Sequence, residues 1–143
     1  NIDAVFILTV CMCTKSTQSS YHSTEIYPRG RLYAMGGTPD GWNPADTVAT
    51  FDPREGRWNS VTFMPRPRMG FGASVLGDSI IVFGGETLSA SSRHSVETTD
   101  TTDIWDLRAG RWRPGPSMTE RRSYMGHGSL AGRVFAVGGR QEL

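Results

Sequence analysis

The chain has little of three features that mark common protein classes: cysteine, charge of one sign and long apolar runs. Its 143 residues include two cysteines, which are too few and too close together for a disulfide framework, so a reducing compartment and hence a cytoplasmic location are expected. Its 15 basic and 14 acidic residues are spread along the chain, which indicates neither nucleic acid nor a membrane as partner. The apolar run at residues 4–13 is about half as long as the ~20 residues of a membrane-spanning helix.

One short phrase, by contrast, occurs three times. RLYAMGG at residues 31–37, SIIVFGG at 79–85 and RVFAVGG at 133–139 each end in two glycines. The second glycine recurs after 48 and then 54 residues, a period typical of stacked or closed arrays of small units. Residues 51–85 and 105–139 align without a gap and share 11 of 35 residues. Chance does not explain this agreement.

Each repeat is predicted to form four short strands. Phe71–Leu76 and Ile80–Phe83 flank a Gly-Asp turn in the second repeat, as two strands of a hairpin do. In the first repeat a strand is predicted to end near Asp52, and the next to begin at Arg57 after the turn PREG. Asp52 and its equivalent Asp106 are predicted to close such turns by accepting backbone hydrogen bonds.

The glycine pairs are predicted to be structural. Glycine ends a strand readily and leaves space for a bulky neighbour. The recurring tryptophans, Trp58 and Trp112, are the neighbours expected to fill this space. The three pairs are Gly36 with Gly37, Gly84 with Gly85, and Gly138 with Gly139.

No catalytic, metal or cofactor site is predicted. His22, His94 and His127 lie at different places in the repeat, so no ligand position recurs. Cys11 and Cys13 lack the second pair that a zinc site needs. The glycine pairs are not followed by the lysine of a phosphate-binding loop.

The combination of a glycine pair, an aromatic residue followed by Asp, a Trp about six residues later and a Met leading into an Arg resembles the Kelch repeat, over residues 20–139. The resemblance implies an all-β, Kelch-type β-propeller fragment of about two and a half four-stranded blades, most like the repeats of BTB-Kelch proteins. Residues 20–61 are expected to form a blade whose first half is divergent, 62–115 a second blade, and 116–143 the first half of a further blade. Residues 1–19 are an unassigned or divergent segment, and the chain is expected to be a piece of a longer protein.

The same resemblance implies a protein-protein interaction module that recognises a partner or substrate protein through loops on one face. In BTB-Kelch proteins such recognition serves a cullin-type ubiquitin ligase. Two alternatives remain: a cytoskeletal or scaffold protein, and the fragment of an enzyme with a Kelch-type fold, such as a galactose-oxidase-like or sialic acid epimerase-like protein. An oxidase needs a set of Tyr, Cys and His copper ligands that this sequence does not assemble, so the chain is not expected to be an enzyme.

Four residues are candidates for partner binding. Arg68 and Arg122 lie where a connection between blades enters the innermost strand, and arginines at this place in BTB-Kelch proteins bind acidic peptide segments. The recurrence of this arginine suits equally a structural hydrogen bond between blades. Trp42, in the loop 38–46, and Arg66, in the connection 62–67, are the other two candidates. The serine- and threonine-rich loop 86–102 is either a recognition loop or a tolerated insertion.

Overall fold

The structure is a computed structural model that describes residues 24–26, 31–92 and 95–141, with the backbone alone for residues 24–26. The predictions for residues 1–19, for the two cysteines, and for His22 and His94 fall outside the described residues. Within the described ranges the chain forms strands, turns and loops and contains no helix.

Twelve strands are described. They are β1 (Thr24–Ile26), β2 (Leu32–Met35), β3 (Ala45–Asp52), β4 (Arg57–Arg68), β5 (Gly72–Leu76), β6 (Ser79–Phe83), β7 (Glu86–Leu88), β8 (Val96–Thr98), β9 (Thr102–Asp106), β10 (Arg111–Pro114), β11 (Gly126–Leu130) and β12 (Arg133–Val137). The predicted hairpin of the second repeat and the predicted β3–β4 turn are therefore confirmed.

These strands build two four-stranded antiparallel sheets and part of a third. The first sheet has the order β1-β2-β3-β4 and the second β5-β6-β9-β10, so each is an antiparallel meander, and in the second the strands β7 and β8 are inserted between β6 and β9. Strands β11 and β12 form a two-stranded sheet at the equivalent place in the next repeat. The expectation of an all-β propeller fragment of about two and a half four-stranded blades is confirmed.

The loop 86–102 contains a small hairpin of its own. Strands β7 and β8 pair from Glu86 opposite Thr98 to Leu88 opposite Val96. This hairpin lies in the connection between β6 and β9, where the other described repeat has the shorter loop between β2 and β3. The longer loop of the second repeat thus carries a pair of strands that the shorter loop lacks.

The hydrophobic core lies between the first two sheets. Met35 and Val48 come from the first sheet, Ile80 and Val82 from the second, and all four side chains are almost completely buried. Alternation of buried and partly buried positions along β2 fits a strand with one face against a core. Burial of each such side chain stabilises the fold by roughly 1.5–3 kcal/mol, so this core holds the neighbouring sheets together.

The glycine pairs do end strands, but the prediction that tryptophan fills their space is wrong. A Cβ atom on Gly84 would lie 2.7 Å from the methyl groups of Met118 and Met125 and 2.6 Å from the carbonyl oxygen of Arg122. Gly36 faces the equivalent set, Met64, Phe71 and the Arg68 carbonyl. The recurring Met of each repeat, rather than its Trp, therefore occupies the space.

The two tryptophans pack instead against aromatic residues on the neighbouring strand. The ring centroids of Trp58 and Phe51 lie 5.5 Å apart, and those of Trp112 and Trp105 lie 5.3 Å apart. Both pairs are direct cross-strand neighbours of the last two strands of a sheet, where aromatic pairs stabilise an antiparallel ladder. Trp58 retains 41% of its surface exposed, because the outermost strand is covered on one side only.

The predicted aspartate turns are confirmed. A carboxylate oxygen of Asp106 accepts hydrogen bonds of 2.8 Å from the amides of Arg108 and Ala109. Asp52 accepts one of 2.9 Å from the amide of Arg54. The turns also place Arg57 and Arg111 in solvent on the outer strands.

Candidate partner-binding surface

Five connecting segments lie next to one another at one end of the sheets. We call them the loop face: residues 36–44, 69–71, 84–92 together with 95–101, 115–125 and 138–141. The amide of Gly37 donates to the carbonyl of Arg68 at 2.9 Å, and the amide of Gly85 donates to that of Arg122 at 2.9 Å. In the first two sheets, these bonds join the loop after the second strand to the end of the fourth strand or to the connection that follows it.

Further backbone bonds join one repeat to the next. Met69 and Glu86 exchange two hydrogen bonds, of 3.0 and 2.8 Å, and Ser123 and Arg140 form the equivalent pair at 3.0 and 2.7 Å. The Tyr124 amide donates to the Gly70 carbonyl at 2.7 Å. The loop face is therefore a continuous, internally bonded surface.

Arg68 lies beneath this surface and does not reach solvent. Its side chain is 0% exposed, and its guanidinium donates to the carbonyls of Gly84 and Thr101 at 2.7 and 3.2 Å. It also donates to the hydroxyl of Thr101 and to a carboxylate oxygen of Asp103, both at 2.7 Å. Arg68, at the end of β4, therefore links the first two sheets through hydrogen bonds, as the structural alternative for this position predicts.

Asp103 binds a second cation from the first sheet. Arg66 donates to both of its carboxylate oxygens at 3.1 Å, while the Arg66 side chain remains 43% exposed. Burial lowers the pKa of Arg68, and the hydrogen bond and charge of Asp103 oppose this effect. The Arg66–Asp103–Arg68 group therefore links the sheets, with Arg66 alone at the surface.

Arg122 repeats part of this arrangement in a more open setting. It donates to the carbonyl of Gly138 at 2.8 Å, as Arg68 does to Gly84, and its other amino group pairs with the exposed Glu120 at 2.7 Å. Its side chain is 19% exposed. Arg122 thus lies at the edge of the loop face and shares its charge with a surface carboxylate.

Trp42 is the most exposed large hydrophobic residue of the described chain, with 82% of its surface accessible. The carboxylate of Asp40 accepts hydrogen bonds from the amides of Trp42 and Asn43, at 2.9 and 2.7 Å, and from the Asn43 side chain at 2.6 Å. These bonds hold the turn that carries the indole. An exposed indole on a fixed turn is a typical anchor for a binding partner.

Two exposed arginines of the loop face were not among the residues singled out in the sequence. Arg121 and Arg140 are exposed, and no ion pair within residues 31–92 and 95–141 involves either of them. Pro67 and Glu86 occupy the equivalent positions one repeat earlier. Charged residues in loops that differ between repeats are the signal that points to them, because recurring positions maintain the fold.

Tyr124 lies beside these cations with an unusual backbone. Its φ is +53°, and the equivalent residue of the previous repeat is Gly70, with φ of +60°. The ring covers Gly70, since a Cβ atom there would lie 2.8 Å from the ring. Burial, with a smaller effect of Glu86, raises the pKa of the Tyr124 phenol. Tyr124 therefore contributes a partly exposed aromatic surface close to the basic residues.

A groove of about 460 Å³ separates the loops of the first and second sheets. We call it the Trp42 groove; it is lined by Gly41, Trp42, Asn43, Met69, Leu88, Ser95 and Val96. Its walls come from the loop between β2 and β3 and from the β7–β8 hairpin. It brings Trp42 together with the loop 86–102, whereas Arg66 and Arg68 lie around Asp103.

The described residues contain no group of three or more His, Cys, Asp or Glu side chains that could hold a metal ion. His127 packs with its ring 6.1 Å from that of Phe83, and burial lowers its pKa. No helix in the described ranges is long and apolar enough to cross a membrane.

Comparison with known proteins finds Kelch proteins both by family motif and by whole-sequence similarity. The Kelch motif matches residues 67–119. Human Kelch-like protein 34 is 31% identical over 103 residues, which are 68% of this chain and 16% of that protein. Mouse Kelch-like protein 28 is 31% identical over 124 residues, which are 82% of this chain and 22% of that protein. The solved structure of YjhT aligns with a TM-score of 0.72 at 17% identity and covers 89% of this chain and 41% of that one.

The sheet order, the repeat period and the structural alignment define a Kelch-type β-propeller fold. By its repeat residues and its relatives, the chain belongs to the Kelch repeat family. It spans about a fifth or less of the length of these two Kelch-like proteins.

Proposed function

We propose that the chain is part of a protein-protein interaction module that recognises a partner protein through the loop face. The observation that carries this proposal is the exposure of Trp42, 82%, on a turn fixed by three hydrogen bonds to Asp40. An indole gains more free energy from burial against a partner than any other side chain of this face, and a fixed turn loses little conformational entropy on binding.

The partner is proposed to present an acidic segment. Three arginines of the loop face support this: Arg121 and Arg140 are exposed and free of ion pairs with described residues, and Arg122 shares its charge with the exposed Glu120. Guanidinium groups bind carboxylates through two parallel hydrogen bonds. Arg66, whose side chain is 43% exposed, is a weaker candidate because Asp103 already accepts both of its hydrogen bonds. Arg68 is not proposed as a contact, because its side chain is 0% exposed.

Recognition is further proposed to serve a cullin-type ubiquitin ligase, and the support for this is the similarity to Kelch-like proteins. A scaffold role is the alternative. The two roles differ in the fate of the partner, because a ligase adaptor shortens the partner's lifetime whereas a scaffold leaves it unchanged. Measuring the partner's half-life in cells with and without the protein therefore distinguishes them.

Site-specific photo-crosslinking tests the recognition surface. Benzoylphenylalanine is placed in the complete protein at Trp42 or Arg121 on the loop face, and at Arg54 or Arg111 in the turns at the opposite ends of the strands. The expected result is the same crosslinked protein from both loop-face positions and none from the control positions, with identification by mass spectrometry. Equal crosslinking from all four positions would refute the proposal.

A further inference from the structure

The Trp42 groove has one wall held in place by a charged turn. Asp40 accepts three hydrogen bonds from Trp42 and Asn43, at 2.9, 2.7 and 2.6 Å, and both of these residues line the groove. Gly41, between Asp40 and Trp42, adopts a φ of +83°, a conformation that residues with a side chain rarely take. The indole is therefore presented without the freedom of a flexible loop.

The opposite wall is aliphatic and is held in place by backbone hydrogen bonds of the β7–β8 hairpin. Leu88 and Val96 are paired residues at the end of the β7–β8 hairpin, and the amide of Ser89 donates to the carbonyl of Ser95 at 2.9 Å just beyond them. The floor is Met69, whose backbone pairs with Glu86 at the start of the same hairpin. An aromatic wall thus faces an aliphatic wall across a bonded floor.

Among the described residues, the charge at this groove comes from Asp40 and is negative. None of the seven described lining residues is charged, and Asp40 contacts two of them directly. Hydrogen bonds from the backbone amides of Asn43 and Trp42 lower the pKa of Asp40 to about 2, so this carboxylate is ionised at neutral pH. Glu86 turns its side chain away to accept a hydrogen bond of 3.0 Å from Ser123.

From this geometry we infer that the Trp42 groove binds a single long cationic side chain, arginine or lysine, of the partner protein. The aliphatic stem of such a side chain packs against Leu88 and Val96, as these amphipathic residues do on apolar surfaces. Its cationic end lies against the face of the Trp42 indole, beside Asp40, where ring and carboxylate attract it together. The inference rests on the proposed function, because it names what one part of the loop face recognises.

The size of the groove argues against a second copy of the chain as the occupant. Its volume of about 460 Å³ and its seven described lining residues are in the range of a small-molecule pocket, whereas a stable dimer uses roughly 20–30 residues on each partner. The groove is also separate from the basic residues Arg121 and Arg140. A partner that binds both places carries carboxylates for the arginines and one basic residue for the groove.

Fluorine NMR of the complete protein labelled with 5-fluorotryptophan tests the inference. The Trp42 signal is assigned by its loss in Trp42→Phe, and the probes are the N-acetyl methylamides of arginine, lysine, norleucine and glutamate. We expect arginine and lysine to shift the Trp42 signal saturably, with an affinity about fivefold or more above that of norleucine, and glutamate to have no effect.

Asp40→Asn is the matched variant, because the asparagine oxygen can still accept the amides of Trp42 and Asn43 while the charge is removed. In this variant we expect the affinity for arginine to fall to that of norleucine. Norleucine binding as tightly as arginine, an unchanged affinity in Asp40→Asn, or no shift with any probe would each overturn the inference. If crosslinking from Arg121 still yields a partner in that case, the inference has failed while the proposed function stands.

Discussion

Arg68 and Arg122 occupy the same position of the repeat but have different surroundings. Both donate to the carbonyl of the first glycine of a pair, Gly84 or Gly138. Arg68 adds a buried pair with Asp103, whereas Arg122 adds a surface pair with Glu120. A recurring residue can therefore be inaccessible in one repeat and partly accessible in the next, which only the packed structure reveals.

Replacement of Arg68 by alanine is expected to destabilise the complete protein by about 3–5 kcal/mol, because the buried Asp103 would keep Arg66 alone and the carbonyls of Gly84 and Thr101 would lose their donor. Arg122→Ala is the control, with an expected loss of about 1 kcal/mol, since its salt bridge is at the surface. Urea unfolding measures both values. Equal, small losses would show that Arg68 does not hold the sheets together.

Substitutions at Gly84 and Gly110 distinguish the free-energy cost of backbone strain from the cost of overpacking. Both have positive φ, +63° and +62°, but a Cβ atom on Gly84 would meet three atoms within 2.7 Å, whereas one on Gly110 would meet nothing within 4 Å. Gly110→Ala is expected to cost about 1–2 kcal/mol from the backbone alone. Gly84→Ala is expected to cost about 1–3 kcal/mol more from overpacking. Equal values in urea unfolding would contradict the assigned role of the glycine pairs.

At the scale of elements, the turn between β9 and β10 depends on an ionised carboxylate. Hydrogen bonds from the amides of Ala109 and Arg108 lower the pKa of Asp106 below its ordinary value of 3.8. A lowered pKa means that Asp106 contributes stability above pH 3.8 and loses this contribution as the pH falls below it. The turn therefore weakens in acid.

Asp106→Ala tests this pH dependence. The free energy of unfolding of the wild-type protein is expected to exceed that of the variant by a constant amount from pH 7 to about pH 5, and the difference is expected to shrink below pH 3.8. Asp106→Asn is the control, because its side chain can still accept the amides but does not titrate. A difference between wild type and Asp106→Ala that persists unchanged to pH 2 would rule out the ionised turn.

Strands and turns were predictable from the sequence because their signals are local. The signals for the alternation of β2, the Gly-Asp turn before β6 and the aspartate at the end of β3 each lie within a few residues. The occupant of the glycine space was not predictable, because Met118 lies more than thirty residues from Gly84 along the chain. Contacts between residues distant in the chain place methionine beside the glycine, and Trp112 pairs with Trp105 instead.

At the scale of the whole molecule, the repeat divides its residues between two roles. Positions that recur, such as the glycine pairs and Arg68, bind one sheet to the next. The exposed surface of the loop face comes from positions that differ between repeats, including Trp42, Arg121 and Arg140. The sequence therefore predicts a candidate site on the loops, but the burial of Arg68 could be seen only in the structure.

The central claim is that partner binding depends on the loop face, and charge reversal tests it most directly. In the complete protein, Arg121→Glu with Arg140→Glu changes the loop face, and Arg54→Glu with Arg111→Glu makes the same change in charge at the opposite ends of the strands. All four arginines are exposed, so the fold is expected to tolerate each pair.

The measurement is the dissociation constant for the partner identified by crosslinking, by calorimetry with each purified double variant. The loop-face pair is expected to weaken binding by about tenfold or more, while the control pair changes it by about twofold or less, because opposite charges close to a partner act far more strongly than distant, screened ones. Equal effects of the two pairs, or no effect of the loop-face pair, would contradict the account.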